Sequence, residues 1–276
     1  MKIKKISVIL ILMLDAVLIM MAVINITKIA GKADLPFEFN SENVILEGKF
    51  RDYQITSFEG VKPGNSKGIE YLCDLKDIGD TVILNLSSEE KEFSVRIRLV
   101  NYYSDFYLAV IIFVSLFFFI PAIYILIKNQ DKKFSHIFHW LLVSAALMIN
   151  LTWGDIDQNS LIIDLFIRTL FIASLLFTPV LLIHFSFHVP NFKWAGLKKL
   201  IIPLYSYCIS VFLILSVLTY RYLTTGNIDD FSVFSSLNTY LAEIFFIPCG
   251  IFAIGNFVHS YLVSSSEADR QKLLWI

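Results

Sequence analysis

Six stretches of this chain are each about as long as a bilayer is thick and nearly free of charge, and that pattern leaves few folds open. A helix needs about 20 mainly apolar residues to cross the hydrocarbon. Residues 6–26, 106–128, 136–153, 161–189, 200–223 and 237–263 all meet that requirement. Polar or turn-forming segments separate the last five: "KNQDKK", "WGDIDQNS", "VPNFKWAGLKK" and "TTGNIDD". Such short connections make antiparallel hairpins. Composition agrees, because 56% of the 276 residues are hydrophobic and only 17% charged, against about 25% charged in a soluble domain. So much apolar surface requires lipid as well as a core.

Lysine and arginine set the expected orientation. Lys2, Lys4 and Lys5 precede the first run; Lys128, Lys132 and Lys133 lie in the first short loop; Lys193, Lys198 and Lys199 lie in the third; Arg270 and Lys272 lie in the tail. The alternate short loops hold only Arg221. Positive charge marks the cytoplasmic side, so both ends are expected there, with six crossings. "MKIKK" followed by a long apolar run without a close small-residue cleavage site reads as an uncleaved signal anchor.

Residues 27–105 are different, with 13 acidic and 10 basic residues before Asp105. In "EFSVRIRLV" Phe93, Val95, Ile97 and Leu99 alternate with Glu92, Ser94, Arg96 and Arg98, which predicts a half-buried strand. "TVILNLS" precedes it across the charged turn "SEEK", so the two predict a hairpin over 81–100. "NVILEG" and "DYQITSFE" add two weaker strands, and "KPGNSKG" reads as a loop. The three cysteines, Cys73, Cys208 and Cys249, lack metal spacing and read as small buried hydrophobes.

Ionisable groups within apolar runs are costly and draw attention to themselves. Asp15 falls in the first run, Asp164 and Arg168 share one helix face at i, i+4 in the fourth, and Glu243 falls in the sixth. They are the candidates for a polar cluster, either sensing a ligand or fixing helix register, with Asp164 and Arg168 expected to pair. His184 and His188 are also one turn apart and could hold a metal, but no third ligand lies nearby, so neither metal nor cofactor is expected. His136, His139 and His259 fall near helix ends and read as interfacial. Trp153 and Trp194 fit an aromatic belt. Pro121, Pro179, Pro203 and Pro248 fall in four separate runs and predict kinks.

Some longer patterns resemble known families. "LKDIGDTVILNLSSEEKEFSVRIRLV" resembles the closing half of PDZ-like domains, in which a short helix leads to a Gly-Asp turn and two final strands. "ENVILEGKFRDYQITS" resembles the earlier strands of that fold. The Gly-rich carboxylate-binding loop of a working PDZ domain has no counterpart, so the domain is PDZ-like but degenerate. "TPVLLIHFSFHVPNFKWAGLKKLIIPLYSY", with His184, Phe185 and Phe187–Pro190, resembles the "HF…FP" segment of multipass sensor regions in bacterial signalling proteins. "ADRQKLLWI" resembles the juxtamembrane stretch that such proteins place before further membrane helices.

The whole is similar to the input half of competence-pheromone sensor histidine kinases, some relatives of which carry a phosphatase output. The resemblance implies a signal-sensing region in a bacterial cytoplasmic membrane, a peptide or small-molecule signal, a homodimer, and an output module beyond Ile276. The expected fold class is an α-helical membrane protein with six transmembrane helices plus a small extracytoplasmic β-rich domain. Its parts are a signal anchor (1–26), the β-rich domain (27–105), a five-helix bundle (106–263) and a juxtamembrane stretch (264–276). No catalytic motif occurs, and the net charge of -1 gives no reason to expect a nucleic-acid partner. A transporter or channel is the alternative, weakened by the lack of an inverted repeat or paired helix breaks. An intramembrane protease would have to use Asp15 and Asp164, which lack flanking glycine motifs.

Overall fold

A computed structural model describes residues 2–88, 91–129, 132–151, 156, 160–188, 198–264 and 266–267, with backbone alone for 2–6, 133 and 198. Trp153, Trp194, most of "WGDIDQNS" and "VPNFKWAGLKK", and all of "ADRQKLLWI" lie outside the described residues. The chain runs α1 (Lys2–Gly31), β1 (Ala33–Asp34), β2 (Gln54–Phe58), α2 (Ser66–Cys73), β3 (Thr81–Ser87), β4 (Glu92–Arg98), β5 (Val100–Asn101) and α3 (Asp105–Lys128). Then follow α4 (Lys133–Asn150), α5 (Leu161–Ser186), α6 (Lys198–Thr225), α7 (Ile228–Leu241), a π-helical turn (Ala242–Phe246) and α8 (Ile247–Val263).

Among the described residues, five helical stretches are long and apolar enough to cross a membrane: Ser7–Gly31, Asp105–Lys128, Leu161–Ser186, Lys199–Thr225 and Ile228–Val263. The remaining apolar run forms a shorter helix over Phe134–Asn150. It packs between α3 and α5. Large apolar side chains point outward along the others, among them Met13 and Val17 on α1, Phe113 and Phe117 on α3, and Leu213 and Val217 on α6. Such faces fit lipid contact and would be unfavourable in water.

The β unit has its own core, with Ile45, Ile55, Phe58, Ile69, Val82, Leu84, Leu86 and Leu99 all buried. β2, β3 and β4 form an antiparallel sheet in that order. The hairpin expected over 81–100 is there, with Thr81 opposite Arg98 and Ser87 opposite Glu92. The alternation of β4 also holds: Ile97 and Leu99 are buried and the arginines exposed. Toward the hairpin turn the sheet outruns its cover, and Phe93 there lies against the rings of Phe50 and Tyr53. "NVILEG" makes isolated bridges rather than a strand. The second half of "KPGNSKG" starts α2, capped by the Asn65 side chain, which accepts from the Gly68 amide.

Two helices outgrow their expected limits. α1 continues to Gly31, past the polar residues that read as its end. The last helix begins at Ile228, with Asn227 as its cap, and runs without a break to Val263. Asp229 and Asp230 had read as loop, but they fill its first turn, where the helix dipole favours carboxylates. Its 36 residues span about 54 Å, so it projects beyond a hydrocarbon layer of about 30 Å. The projecting part, α7, packs against α2. Pro248 accounts for the π turn: it cannot donate to the carbonyl four residues earlier, and the widened turn just before it absorbs the mismatch.

Candidate functional site

The β unit and the helical bundle meet through a buried ionic and aromatic cluster. It is built from the last turn of α1, the bundle-facing side of α2, and the near ends of α5, α6 and α7. α1 brings Lys28 and Lys32, one turn apart and therefore on one face. Lys28 Nζ lies 2.7 Å from Asp164 Oδ1 on α5. Lys32, only 1% exposed, lies 3.0 Å from Glu70 Oε1 and 3.2 Å from Asp74 Oδ1 at the end of α2. Its ammonium also sits 4.6 Å from the centre of the Tyr102 ring.

Arg168, one turn along α5 from Asp164, is 5% exposed. Its guanidinium lies 5.8 Å from the centre of the Tyr222 ring on α6, within electrostatic reach of Asp74 and Asp164. Three cations (Lys28, Lys32, Arg168) therefore face three carboxylates (Glu70, Asp74, Asp164) in a closely balanced set. Unbalanced charge at such depth would cost several kcal/mol per ion.

Burial acts differently on the two partners of the Lys32–Asp74 pair. Burial by itself would lower the Lys32 ammonium, but Asp74 and Glu70 outweigh it and hold the group well above the usual lysine range. Burial of Asp74 outweighs Lys32 and Arg168 and pushes its carboxyl up to about 6. The asymmetry follows from geometry: one lysine serves two carboxylates, and the more exposed Glu70 takes the shorter contact. Asp74 Oδ2 accepts no hydrogen bond from a described residue.

Aromatic packing closes the junction. Tyr71 of α2 stands among the rings of Tyr222 and Phe231, at 6.4 and 5.1 Å between centres, and its hydroxyl donates to the Tyr222 carbonyl at 3.4 Å. Tyr71 thus belongs to the core of the bundle, not to that of the β unit. Gly68 allows this approach, since a Cβ there would fall 1.8 Å from the Pro63 carbonyl oxygen and 2.9 Å from Ile228. Asn65 adds a hydrogen bond to Ser232 of α7 at 3.0 Å.

The four acidic and basic groups singled out in the sequence do not form one cluster. Asp164 and Arg168 belong to the junction. Asp15 lies 13 residues, about 20 Å, along α1 from Lys28. There it faces His139, with Oδ1 3.3 Å from Nε2, while His139 Nδ1 donates to the Ala122 carbonyl at 3.1 Å. His139 is fully buried, not interfacial, because α3, α4 and α1 close around it. Glu243 lies in the π turn, with no hydrogen bond or ion pair among the described residues. His184 contacts the Tyr205 hydroxyl at 3.2 Å and His188 the His184 carbonyl at 3.0 Å. Among the described residues no group of three His, Cys, Asp or Glu side chains is placed to hold a metal. All three cysteines are free and buried.

Sequence reasoning missed Lys28, Lys32, Glu70, Tyr71, Asp74 and Tyr222. One signal was there: Lys28 and Lys32 repeat, at i, i+4 beyond the first apolar run, the spacing of Asp164 and Arg168. The cluster can hold two folded units in fixed register and change with the state of either. Its groups show no nucleophile–base arrangement. Comparison with known protein families, with curated proteins and with solved structures returned no match.

Proposed function

We propose that this chain is the signal-receiving membrane region of a bacterial sensor protein, of the kind that serves as the input half of a two-component histidine kinase. On this reading the β unit is a degenerate PDZ-like domain outside the cytoplasmic membrane. The helices make six crossings with both ends inside, and a second copy completes a dimer. The observation that carries the proposal is the junction: Lys32, Glu70, Asp74 and Arg168 tie a small folded unit to the bundle through charges that tolerate little rearrangement. A change in the β unit must then either move α1 and α5 or break a buried pair. The order short helix, Gly-Asp turn and hairpin supports the PDZ-like assignment, and the lysine asymmetry supports the orientation.

The test uses the full chain in lipid discs, spin-labelled at positions 128 and 199, at the ends of α3 and α6 remote from the β unit. Asp74→Asn with Arg168→Gln should shift the distance distribution between the labels, because the bundle relaxes when the junction is released. Unchanged distances in a folded double variant would refute transmission. Cysteine labelling supplies the topology: position 59 should react from outside intact cells and position 129 only after permeabilisation, and the reverse would overturn the orientation.

A further inference from the structure

On the side of α2 away from the bundle the β unit holds an open cavity of about 490 Å³. Asp34, Glu38, Glu47 and Glu70 line it, with Phe37 and Tyr102 among its walls. A single base, Lys67, joins them at the rim, where it is 42% exposed and 3.9 Å from Glu70 Oε2. The site is concave, with rings among its walls, and its carboxylates range from half-buried Asp34 and Glu70 to exposed Glu38 and Glu47. Burial holds the Asp34 carboxyl up at about 6, so this group would gain from a cationic partner.

We propose that the cavity binds an amphipathic organic cation: an amine or guanidinium carried on an apolar or aromatic body. Four carboxylates against one lysine select positive charge, and rings attract both a cation and an apolar body. The volume sets an upper size near that of a dipeptide. Glu70 gives the binding a consequence. It lines the cavity and also holds buried Lys32 at 3.0 Å, so a bound cation competes with Lys32 for Glu70. α2 carries the effect, because its other side packs Tyr71 against Phe231 and Gly68 against Ile228.

Only this consequence rests on the sensory reading; the binding stands apart from it. The probe is the amide Phe-Arg-NH2, titrated calorimetrically into the full chain in phosphatidylcholine discs, with N-acetyl-Phe-Glu as the anionic control. Phe-Arg-NH2 should bind saturably, more weakly at high salt, and the control should not. Glu38→Gln with Glu47→Gln, both at exposed positions, should weaken binding about tenfold with no change in melting temperature. No saturable binding, equal binding of the control, or an unaltered affinity in the double variant would overturn the proposal. Binding without any change in the 128–199 distance would leave the site intact and refute the sensory reading. A distance change on releasing the junction, without binding, would refute the site alone.

Discussion

Asp164 and Arg168 share a helix face, as their spacing dictates, and Asp164 also forms an ion pair with Lys28 on α1. Asp164→Ala should therefore destabilise the protein by about 2–3 kcal/mol. That is below the ~3–5 kcal/mol of a wholly buried pair, because Lys28 keeps 12% of its side chain exposed. Lys28→Met combined with Asp164→Leu should recover most of the loss, which denaturation in detergent would measure. A double variant no more stable than the single would show that the two charges act independently. Asp74 makes a pH-dependent prediction. Its folded carboxyl, at about 6, lies above the ordinary aspartate value of 3.8, so the folded state binds the proton more tightly. Its contribution to stability is greatest below the lower value, falls as the pH rises toward 6, and stays low beyond. Asp74→Asn keeps the neutral form at every pH. The difference in melting temperature between variant and parent should therefore move in favour of the variant from pH 4 to pH 7. A constant difference would mean that the surroundings of Asp74 do not raise its carboxyl in the folded state. Asp164 and Arg168 were legible in the sequence because charge stands out in an apolar run. Asp74 and Lys32 were not, because they lie among 13 acids and 10 bases that look alike when burial is unknown.

Strands were legible wherever one face is buried: the alternation of 92–99 fixed the face of β4, and its partner followed from the short turn. "NVILEG" misled because apolar content without alternation does not specify pairing. The last helix was read as starting nine residues too late, since acidic residues after a glycine resemble a loop. Gly226, at φ +66, does end α6 in the left-handed conformation that suits glycine. The next helix then starts at once under the Asn227 cap. The helix within "KPGNSKG" was hidden by its glycine, which is kept for contact and not for flexibility. Gly68→Ala should force α2 off α7, because the added carbon has no room between the Pro63 carbonyl and Ile228 of α7. The expected cost is about 1–3 kcal/mol, the range for overpacking, together with faster hydrogen exchange at the α2 amides. Exchange unchanged from the parent would show that the helix can shift without losing its seat.

At the scale of the whole molecule, the division into a β unit and an apolar helical bundle was legible from composition, while the seam between them was not. The seam depends on pairs far apart in sequence, Lys32 with Asp74 and Tyr71 with Tyr222, and no local pattern announces such contacts. One feature of the seam bears on how such a chain could be assembled. β1 pairs with β5, Ala33 opposite Asn101, and the Tyr102 amide donates to the Lys32 carbonyl at 2.9 Å. The strand that leaves α1 and the strand that leads into α3 are thus hydrogen-bonded neighbours, about 5 Å apart. The β unit hangs from the bundle on a single paired stem, like a bead threaded into a helical hairpin. A module held in this way can be exchanged for another with the same stem while the helices keep their order and direction. The groups beneath it, Lys32 and the rings of Tyr222 and Phe231, constrain the replacement, which must bring its own carboxylate and aromatic side chain to cover them.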